Sequence, residues 1–159
     1  MRIRSSKVVV FLLTFFILLS QVFTSSFALA DNKVPFTIFH TNDMHGRLGY
    51  EEYKGKPTSF GSAREKALID KEKKENPNRT VIALDAGDAF QGLPVSNQSK
   101  GQDMAKAMNE IGYKAMAAGN HEFDFGLDTV EKYKNNPQNG GWLNFPILST
   151  NVYKDGKRL

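Results

Sequence analysis

The sequence contains no cysteine among its 159 residues. A disulfide framework, a thiol nucleophile and any thiolate metal site are therefore excluded. Histidine is also scarce, with three residues in the whole chain and none after position 121. Any metal site must consequently be built from few imidazoles and from oxygen ligands.

The chain has almost no excess of positive charge outside its first 30 residues. Three of the 21 basic residues and none of the 17 acidic ones lie in that segment, so residues 31–159 carry a formal charge of +1. The basic residues at 71, 73 and 74 alternate with acidic ones, as on a solvated helix face. A nucleic-acid surface would need a clear basic excess, and we expect no nucleic-acid polymer as a partner.

Residues 1–30 have the three-part pattern of a secretory signal peptide. A positively charged start precedes an apolar run over residues 8–19, and Ala28-Leu29-Ala30 supplies the small residues that a signal peptidase recognises. Polar residues from Ser20 onward interrupt the run before the roughly 20 residues that a membrane span requires. We predict cleavage after residue 30 and export to the periplasm, cell wall or medium of a bacterium, without a membrane span. A retained anchor is the alternative.

Short apolar runs alternate with longer amphipathic ones after the leader, which predicts βα units around a mostly parallel sheet. The predicted strands are Phe36–Thr41, Thr80–Leu84, Lys114–Ala118 and Phe145–Val152. The predicted helices are Ser59–Glu75, Gln102–Ile111 and Leu127–Asn135. Residues 42–58 and 86–99 are predicted to be loops.

Residue spacing also predicts which helix faces are buried. In the first helix Ala63, Ala67 and Leu68 are spaced for one inward face, and in the second that face comprises Met104, Ala105, Met108 and Ile111. Gly112 is predicted to end the second helix. Near the C-terminus, Asp155-Gly156 indicates a tight hairpin turn that requires a returning strand, while the chain stops at Leu159. We therefore expect a domain that is incomplete at its C-terminus.

Three polar clusters each follow a predicted strand. They are His40–Gly46, Asp85–Gly92 and Gly119–Asp124. Because ligands gather at the carboxyl ends of the strands in open α/β sheets, the clusters should converge on one place. Carboxylate, imidazole and amide groups would meet there, which favours a divalent-metal site.

The side chains in these clusters have the chemistry of metal ligands. Asp43 and His45 are two residues apart, so in an extended segment both would point to one ion. Asp88 offers a carboxylate that can bridge two cations, and Asn120 offers an amide oxygen. Each fragment alone is a weak signal, because an isolated aspartate after a strand is more often a helix cap or a turn residue.

The three clusters together resemble the first three motifs of the calcineurin-like metallophosphoesterases. The longer segments Gly87–Pro94 and Ala118–Gly126 resemble its 5′-nucleotidase branch, of the type that also opens 2′,3′-cyclic nucleotides, and the match extends over about Phe36–Val152. The resemblance implies the N-terminal part of an αββα sandwich fold, of the α/β class. Residues 31–159 would be a partial catalytic domain, and the C-terminal substrate-binding domain would be absent.

The resemblance further implies two divalent metal ions, which could be zinc, manganese, iron or cobalt. Asp43 and His45 would bind the first ion, Asp88 would bridge both, and Asn120 would bind the second. A hydroxide bridging the metals would attack the phosphoester of a nucleotide.

The remaining residues of the clusters have roles outside the ligand set. The resemblance implies that His121, oriented by Asp124, stabilises the phosphoryl transition state or protonates the leaving group. Glu122 is predicted to cap or orient a loop, Asp85 to support the ligands from outside, and His40 to pack or hydrogen-bond near the end of its strand.

The chain also lacks histidines that the resemblance requires as metal ligands. Later motifs of the family supply further histidines, whereas no histidine follows His121 here. The second metal would have only Asp88 and Asn120 as protein ligands, and two such oxygen ligands rarely hold a transition metal tightly. We therefore assign the nucleotidase activity to a longer parent and expect the 159-residue chain to be an inactive monomer. The alternatives are a non-catalytic remnant that binds metal or phosphate, and a thiosulfohydrolase-like relative.

Overall fold

The structure, a computed structural model, describes residues 33–158 together with Val10, Thr14 and Phe15. The chain divides into two compact units, residues 1–33 and 34–159. The signal peptide predicted for residues 1–30 lies outside the described residues apart from those three positions, so it stays a prediction. Within the described part of the chain, no helix is both long enough and apolar enough to cross a membrane.

Within residues 34–158, each of the seven segments predicted from the sequence contains a strand or helix of the predicted type. The strands are β1 (Phe36–Thr41), β2 (Glu51–Tyr53), β3 (Lys56–Ser59), β4 (Thr80–Asp85), β5 (Ala115–Ala117), β6 (Ile147–Leu148), β7 (Tyr153–Lys154) and β8 (Lys157–Arg158). The helices are α1 (Ser62–Glu75), α2 (Pro94–Asn97), α3 (Gln102–Ile111) and α4 (Leu127–Lys134). Short 3-10 turns occur at His121–Phe123 and Pro137–Asn139.

The main sheet consists of β1, β4, β5 and β6 in that spatial order, and every neighbouring pair is parallel. β1 and β4 pair over their whole lengths, so Thr41 lies opposite Asp85 at the end of the ladder. Parallel strands end at the same edge, and the loops that follow β1, β4 and β5 therefore meet there. A mixed α/β fold with a parallel sheet confirms the predicted fold class.

Helix α3 supplies the predicted part of the hydrophobic core. Its buried residues are Met104, Ala105, Met108 and Ile111. They pack in one cluster with Ala83 and Met116 of the sheet and with Phe90 and Tyr133, whose rings are stacked at 4.2 Å. The helix ends at Gly112, whose φ of 91° is the left-handed conformation expected after a helix.

The buried face of α1 differs from the predicted one. The predicted residues Ala63, Ala67 and Leu68 are all exposed. Ile69 lies in the core with 1% of its surface exposed. One turn earlier, Glu65 also faces inward and its carboxyl contacts the hydroxyl of Tyr113. A partnered glutamate on the inward face breaks the apolar periodicity from which the face was predicted.

Both predicted loops contain secondary structure. Residues 42–58 include the antiparallel hairpin of β2 and β3. Lys54 and Gly55 form its turn with φ values of 52° and 72°, the backbone geometry that suits a two-residue hairpin loop. Residues 86–99 include the single helical turn α2.

The C-terminal predictions are right for the hairpin and wrong for the strand. Of the predicted strand Phe145–Val152, only β6 forms a ladder, because its neighbour β5 has three residues and pairs with it at two. The hairpin is confirmed, since β7 and β8 pair antiparallel. Asp155 and Gly156 form its turn with φ values of 51° and 75°.

Candidate metal centre

The first two polar loops are joined to each other by their backbones. Three hydrogen bonds of 2.8–3.0 Å continue the pairing of β1 and β4 beyond the strand ends, from Asp43 to Gly87, from His45 to Asp88 and from Gly46 to Ala89. The relative position of these loops is therefore set by main-chain contacts.

Side chains from all three loops converge at this edge of the sheet. Potential ligand atoms of His45, Asp88 and His121 lie within 4.8 Å of one another. Nδ1 of His45 lies 2.9 Å from the carbonyl of Gln91, so Nδ1–H donates this bond and the lone pair of Nε2 remains for a cation. The two imidazole rings meet edge to face with their centroids 5.1 Å apart. Such a donor set fits a divalent transition metal.

Asp43 lies beside this cluster. The backbone conformation that places it there differs from the one that the sequence predicts. Its Oδ1 is 3.8 Å from Nε2 of His45. The segment is not extended, because Asp43 and His45 have φ values of 52° and 48°. Asn42 donates a hydrogen bond of 2.6 Å to Oδ2 of Asp43, which leaves Oδ1 directed at the imidazole. The two side chains lie close together, but the extended segment is wrong, and their binding of one ion stays a prediction.

Left-handed backbone recurs at three of the four predicted ligands. Asp43, His45 and Asp88 all have φ values between 48° and 57°. Such conformations are uncommon for residues with a Cβ and cost of order 1 kcal/mol each, and they persist only where the surrounding structure enforces them. Their concentration at one edge of the sheet supports a functional site there.

The third loop reaches the same place through His121. Its amide donates a hydrogen bond of 2.9 Å to Oδ1 of Asp88. Its Nδ1 lies 2.7 Å from Oδ2 of Asp124, which is the predicted pair. This hydrogen bond, together with the negative charges of Asp124 and Asp88, raises the pKa of His121 against the opposing effect of burial. Asn120 directly precedes His121 and is exposed.

Two glycines permit the close approach of the loops. A Cβ on Gly119 would lie 2.2 Å from Oδ1 of Asp88. A Cβ on Gly92 would lie 2.3 Å from the carbonyl oxygen of His45, and Gly92 has a φ of 153°. A larger residue at either position would displace a candidate ligand.

Asp85 supports the second loop from beneath, and its predicted support of the metal ligands stays a prediction. It is 5% exposed, and its two oxygens accept hydrogen bonds from the Thr41 hydroxyl at 2.6 Å and from the Gly87 amide at 2.8 Å. Burial raises the pKa of Asp85 to about 6, although both hydrogen bonds act in the opposite direction.

A chain of polar side chains continues from Asp85 into the core, and the sequence contains no local signal for it. The Thr41 hydroxyl lies 2.7 Å from the Tyr113 hydroxyl, which in turn contacts Glu65. Burial raises the pKa of Glu65, and the hydrogen bond with Tyr113 opposes that shift. Three of these residues come from β4, β1 and α1, and Tyr113 lies between α3 and β5, so only the folded chain shows their contact.

His40 was predicted to pack or hydrogen-bond near the strand end; it is exposed, so the packing half of that prediction is wrong. Alternate residues of β1 point to opposite faces of the sheet. Phe36 and Ile38 share the face of His40 and are 63% and 47% exposed. Within the described residues, that face is therefore left open.

The sequence pattern of the calcineurin-like phosphoesterases matches residues 36–158. The chain belongs to the calcineurin-like phosphoesterase family. Enzymes of this family hydrolyse phosphoesters with the help of divalent metals, and the chemistry of the cluster of His45, Asp88 and His121 fits that requirement.

The relatives of this family member include 5′-nucleotidases. The chain is 41% identical over 134 residues to the 5′-nucleotidase of Vibrio cholerae, covering 82% of this chain and 22% of that protein. It is 36% identical over 166 residues to protein UshA of Escherichia coli, covering 100% of this chain and 28% of that protein. The crystal structure of a 5′-nucleotidase precursor from Thermus thermophilus superposes with a TM-score of 0.56 at 34% identity, covering 70% of this chain and 21% of that chain. This chain thus spans about a quarter of the length of these relatives.

Proposed function

We propose that this chain supplies the first three metal-binding loops of an enzyme that hydrolyses nucleotide phosphoesters, a 5′-nucleotidase. The observation that carries the proposal is the convergence of His45, Asp88 and His121 within 4.8 Å at the carboxyl edge of the sheet. Divalent ions bound there would lower the pKa of a water molecule and neutralise charge on the phosphoryl oxygens. The identity of the relatives supports nucleotides as the substrate class.

The ligand assignment that we propose is Asp43 and His45 for one ion, Asp88 between the two, and Asn120 for the other. The free Nε2 of His45 and the position of Asp43 Oδ1, 3.8 Å away, support the first pair. The structure brings Asp88 against the third loop, which carries Asn120.

His121 is proposed to act on the substrate and not as a ligand, with Asp124 orienting it. The hydrogen bond with Asp124 raises the pKa of His121, and a protonated imidazole can donate a proton to a leaving oxygen. The hydrogen bond between Nδ1 and Asp124 leaves Nε2 as the nitrogen that would face the phosphoester.

We also propose that residues 31–159 are part of a catalytic domain in a longer exported protein. Its remainder would supply the further metal ligands and the nucleoside-binding domain, and residues 1–30 would direct it to the periplasm, wall or medium. Two observations support this proposal. Residues 1–30 have the pattern of a signal peptide, and the chain covers only a small part of the length of its relatives.

Phosphate release from AMP and from 2′,3′-cyclic AMP, measured with and without Mn²⁺, tests the proposed function. We expect no release by the 159-residue chain beyond that of its Asp88→Asn variant. We expect Mn²⁺-dependent release by the protein encoded by the complete reading frame, and its loss in Asp88→Asn. Turnover by the 159-residue chain would contradict the proposed need for further ligands, and an inactive complete protein that still binds Mn²⁺ would favour the non-catalytic remnant.

A further inference from the structure

Glu122 is a carboxyl group with no exposed surface, and among the described residues it accepts hydrogen bonds only from backbone amides. Its Oε1 accepts from Ala89 at 2.9 Å and from Phe90 at 3.4 Å. Its Oε2 accepts from Asp88 at 2.9 Å and from Gly119 at 2.7 Å. Burial of a carboxylate is unfavourable unless it is fully hydrogen-bonded, and these amides provide that compensation.

The donors belong to two different loops. Asp88, Ala89 and Phe90 follow β4, whereas Gly119 follows β5. Oε2 alone receives one amide from each loop, so a single oxygen atom joins the two segments. An ionised carboxylate has two oxygens that only accept hydrogen bonds, whereas a glutamine amide would place an NH₂ group against one pair of donors.

The segment that Glu122 holds includes the strained residue of the second loop. Asp88 has a φ of 57°, a conformation that must be enforced by its surroundings. Glu122 binds its amide, and the amide of His121 binds its side chain at Oδ1. Asp88 is therefore held at its main chain and at its side chain by two consecutive residues of the third loop.

We propose that Glu122 is a positioning residue that holds the loops carrying Asp88 and Asn120 in the geometry required for metal binding. The proposal rests on the proposed metal centre, and it concerns a residue that lies outside the ligand set. Glu122 acts through the amides of Asp88 and Gly119, and through them it directs the carboxylate of Asp88 towards His45 and His121.

Affinity for Mn²⁺, measured by calorimetry on the 159-residue chain, tests this role with a Glu122→Gln variant. Removal of a group that orients a metal ligand typically lowers affinity by about 10- to 100-fold, and we expect a loss of at least about 10-fold. Met108→Ala is the matched control, because Met108 is equally buried but lies in the core on α3. We expect its Mn²⁺ affinity to stay within about twofold of the unsubstituted chain.

A double-mutant cycle separates positioning from general destabilisation. If Glu122 acts through Asp88, Glu122→Gln should cause little further loss of Mn²⁺ affinity in an Asp88→Asn background. Equal losses with and without the Asp88 side chain would overturn the proposal. An affinity unchanged by Glu122→Gln, or an equal loss in Met108→Ala, would overturn it as well.

Amide hydrogen exchange in the unsubstituted, Mn²⁺-free chain provides a second test. It needs no variant, so it remains possible if Glu122→Gln does not fold. We expect the amides of Asp88, Ala89 and Gly119 to be protected, although they lie in loops. Exchange at the rates of exposed loop amides would refute the role of Glu122. Protection of these amides in a chain that does not bind Mn²⁺ when it is added would support the link made by Glu122 and contradict the proposed metal centre. Failure of the Glu122 role and failure of the metal centre therefore give different results.

Discussion

Nδ1 of His121 and Oδ2 of Asp124 lie 2.7 Å apart at the 3-10 turn within the third loop. This hydrogen bond is the main reason why the pKa of His121 is raised above that of an ordinary histidine. Because the folded-state pKa is raised, the contribution of the pair to stability is present below the unfolded pKa and is lost as the pH rises through the folded value. The protonated imidazole is therefore kept to higher pH, as a proton donor requires.

We expect Asp124→Asn to lower the pKa of His121, because an amide hydrogen bond lacks the negative charge that favours the imidazolium. A pH titration of the ring protons by nuclear magnetic resonance measures this directly. Asp128→Asn, in the exposed first turn of α4, is the control and should leave the titration unchanged. The same pKa in Asp124→Asn as in the unsubstituted chain would rule out the pair as the cause.

The raised pKa of Asp85 predicts that the stability of the metal-free chain depends on pH. Burial raises its pKa in the folded state to about 6 from 3.8, so the folded state binds the proton more tightly than the unfolded state does. Its contribution to the free energy of unfolding should therefore decrease as the pH rises from about 4 to about 6, by on the order of 2 kcal/mol.

Denaturant unfolding of Asp85→Asn at several pH values checks this sign. The variant should lack the decrease, whereas Asp70→Asn, which removes an exposed carboxylate paired with Lys66, should retain it. If the profiles of Asp85→Asn and the unsubstituted chain are parallel across this range, the shift assigned to Asp85 is wrong.

Gly119→Ala should weaken metal binding without a change of charge. The added methyl group would lie 2.2 Å from Oδ1 of Asp88, so that carboxylate must move. We expect the affinity for Mn²⁺, measured by calorimetry, to fall by about 10-fold or more, as for other changes next to a ligand. Gly49→Ala is the control, because among the described residues no heavy atom beyond its chain neighbours lies within 4 Å of the Cβ it would add. Equal affinities in the two variants would contradict the close contact.

The orientation of α1 can be tested with two neighbouring residues. Ile69 is 1% exposed and Leu68 is 51% exposed. Ile69→Ala should lower the free energy of unfolding by about 2–4 kcal/mol through loss of buried methyl groups and formation of a cavity, and Leu68→Ala by less than about 1 kcal/mol. Urea denaturation measures both, and the reverse order would restore the face predicted from the sequence.

Local patterns were sufficient for the elements with dense apolar spacing. The limits of β1 and α3 agree with their predictions at both ends. β1 lies between Pro35 and Asn42, and α3 lies between Gly101 and Gly112. The hairpin of β2 and β3 escaped prediction since its strands have three or four residues and little apolar character. The length of β6 depends on its neighbour β5, which no local pattern records.

The candidate site, too, could be predicted only in part from local motifs. Asp43, His45, Asp88, Asn120, His121 and Asp124 are proposed as site residues from their motifs. The order of these motifs after strands also predicted that the loops would meet at one edge of the sheet. Tyr113 and Glu65 were missed, since neither lies in a polar cluster and their contact joins residues 48 apart in the chain.

The sequence by itself determined the residue types available for chemistry, the absence of thiolates, and the placement of three polar clusters at strand ends. Only the tertiary structure decided that Asp43, His45 and Asp88 have left-handed backbone, that the rings of His45 and His121 meet, and that amides surround Glu122. The physical reason is that periodicity and composition act over a few neighbouring residues. The direction of a loop amide or imidazole depends on strand register and on the packing of residues distant in the chain.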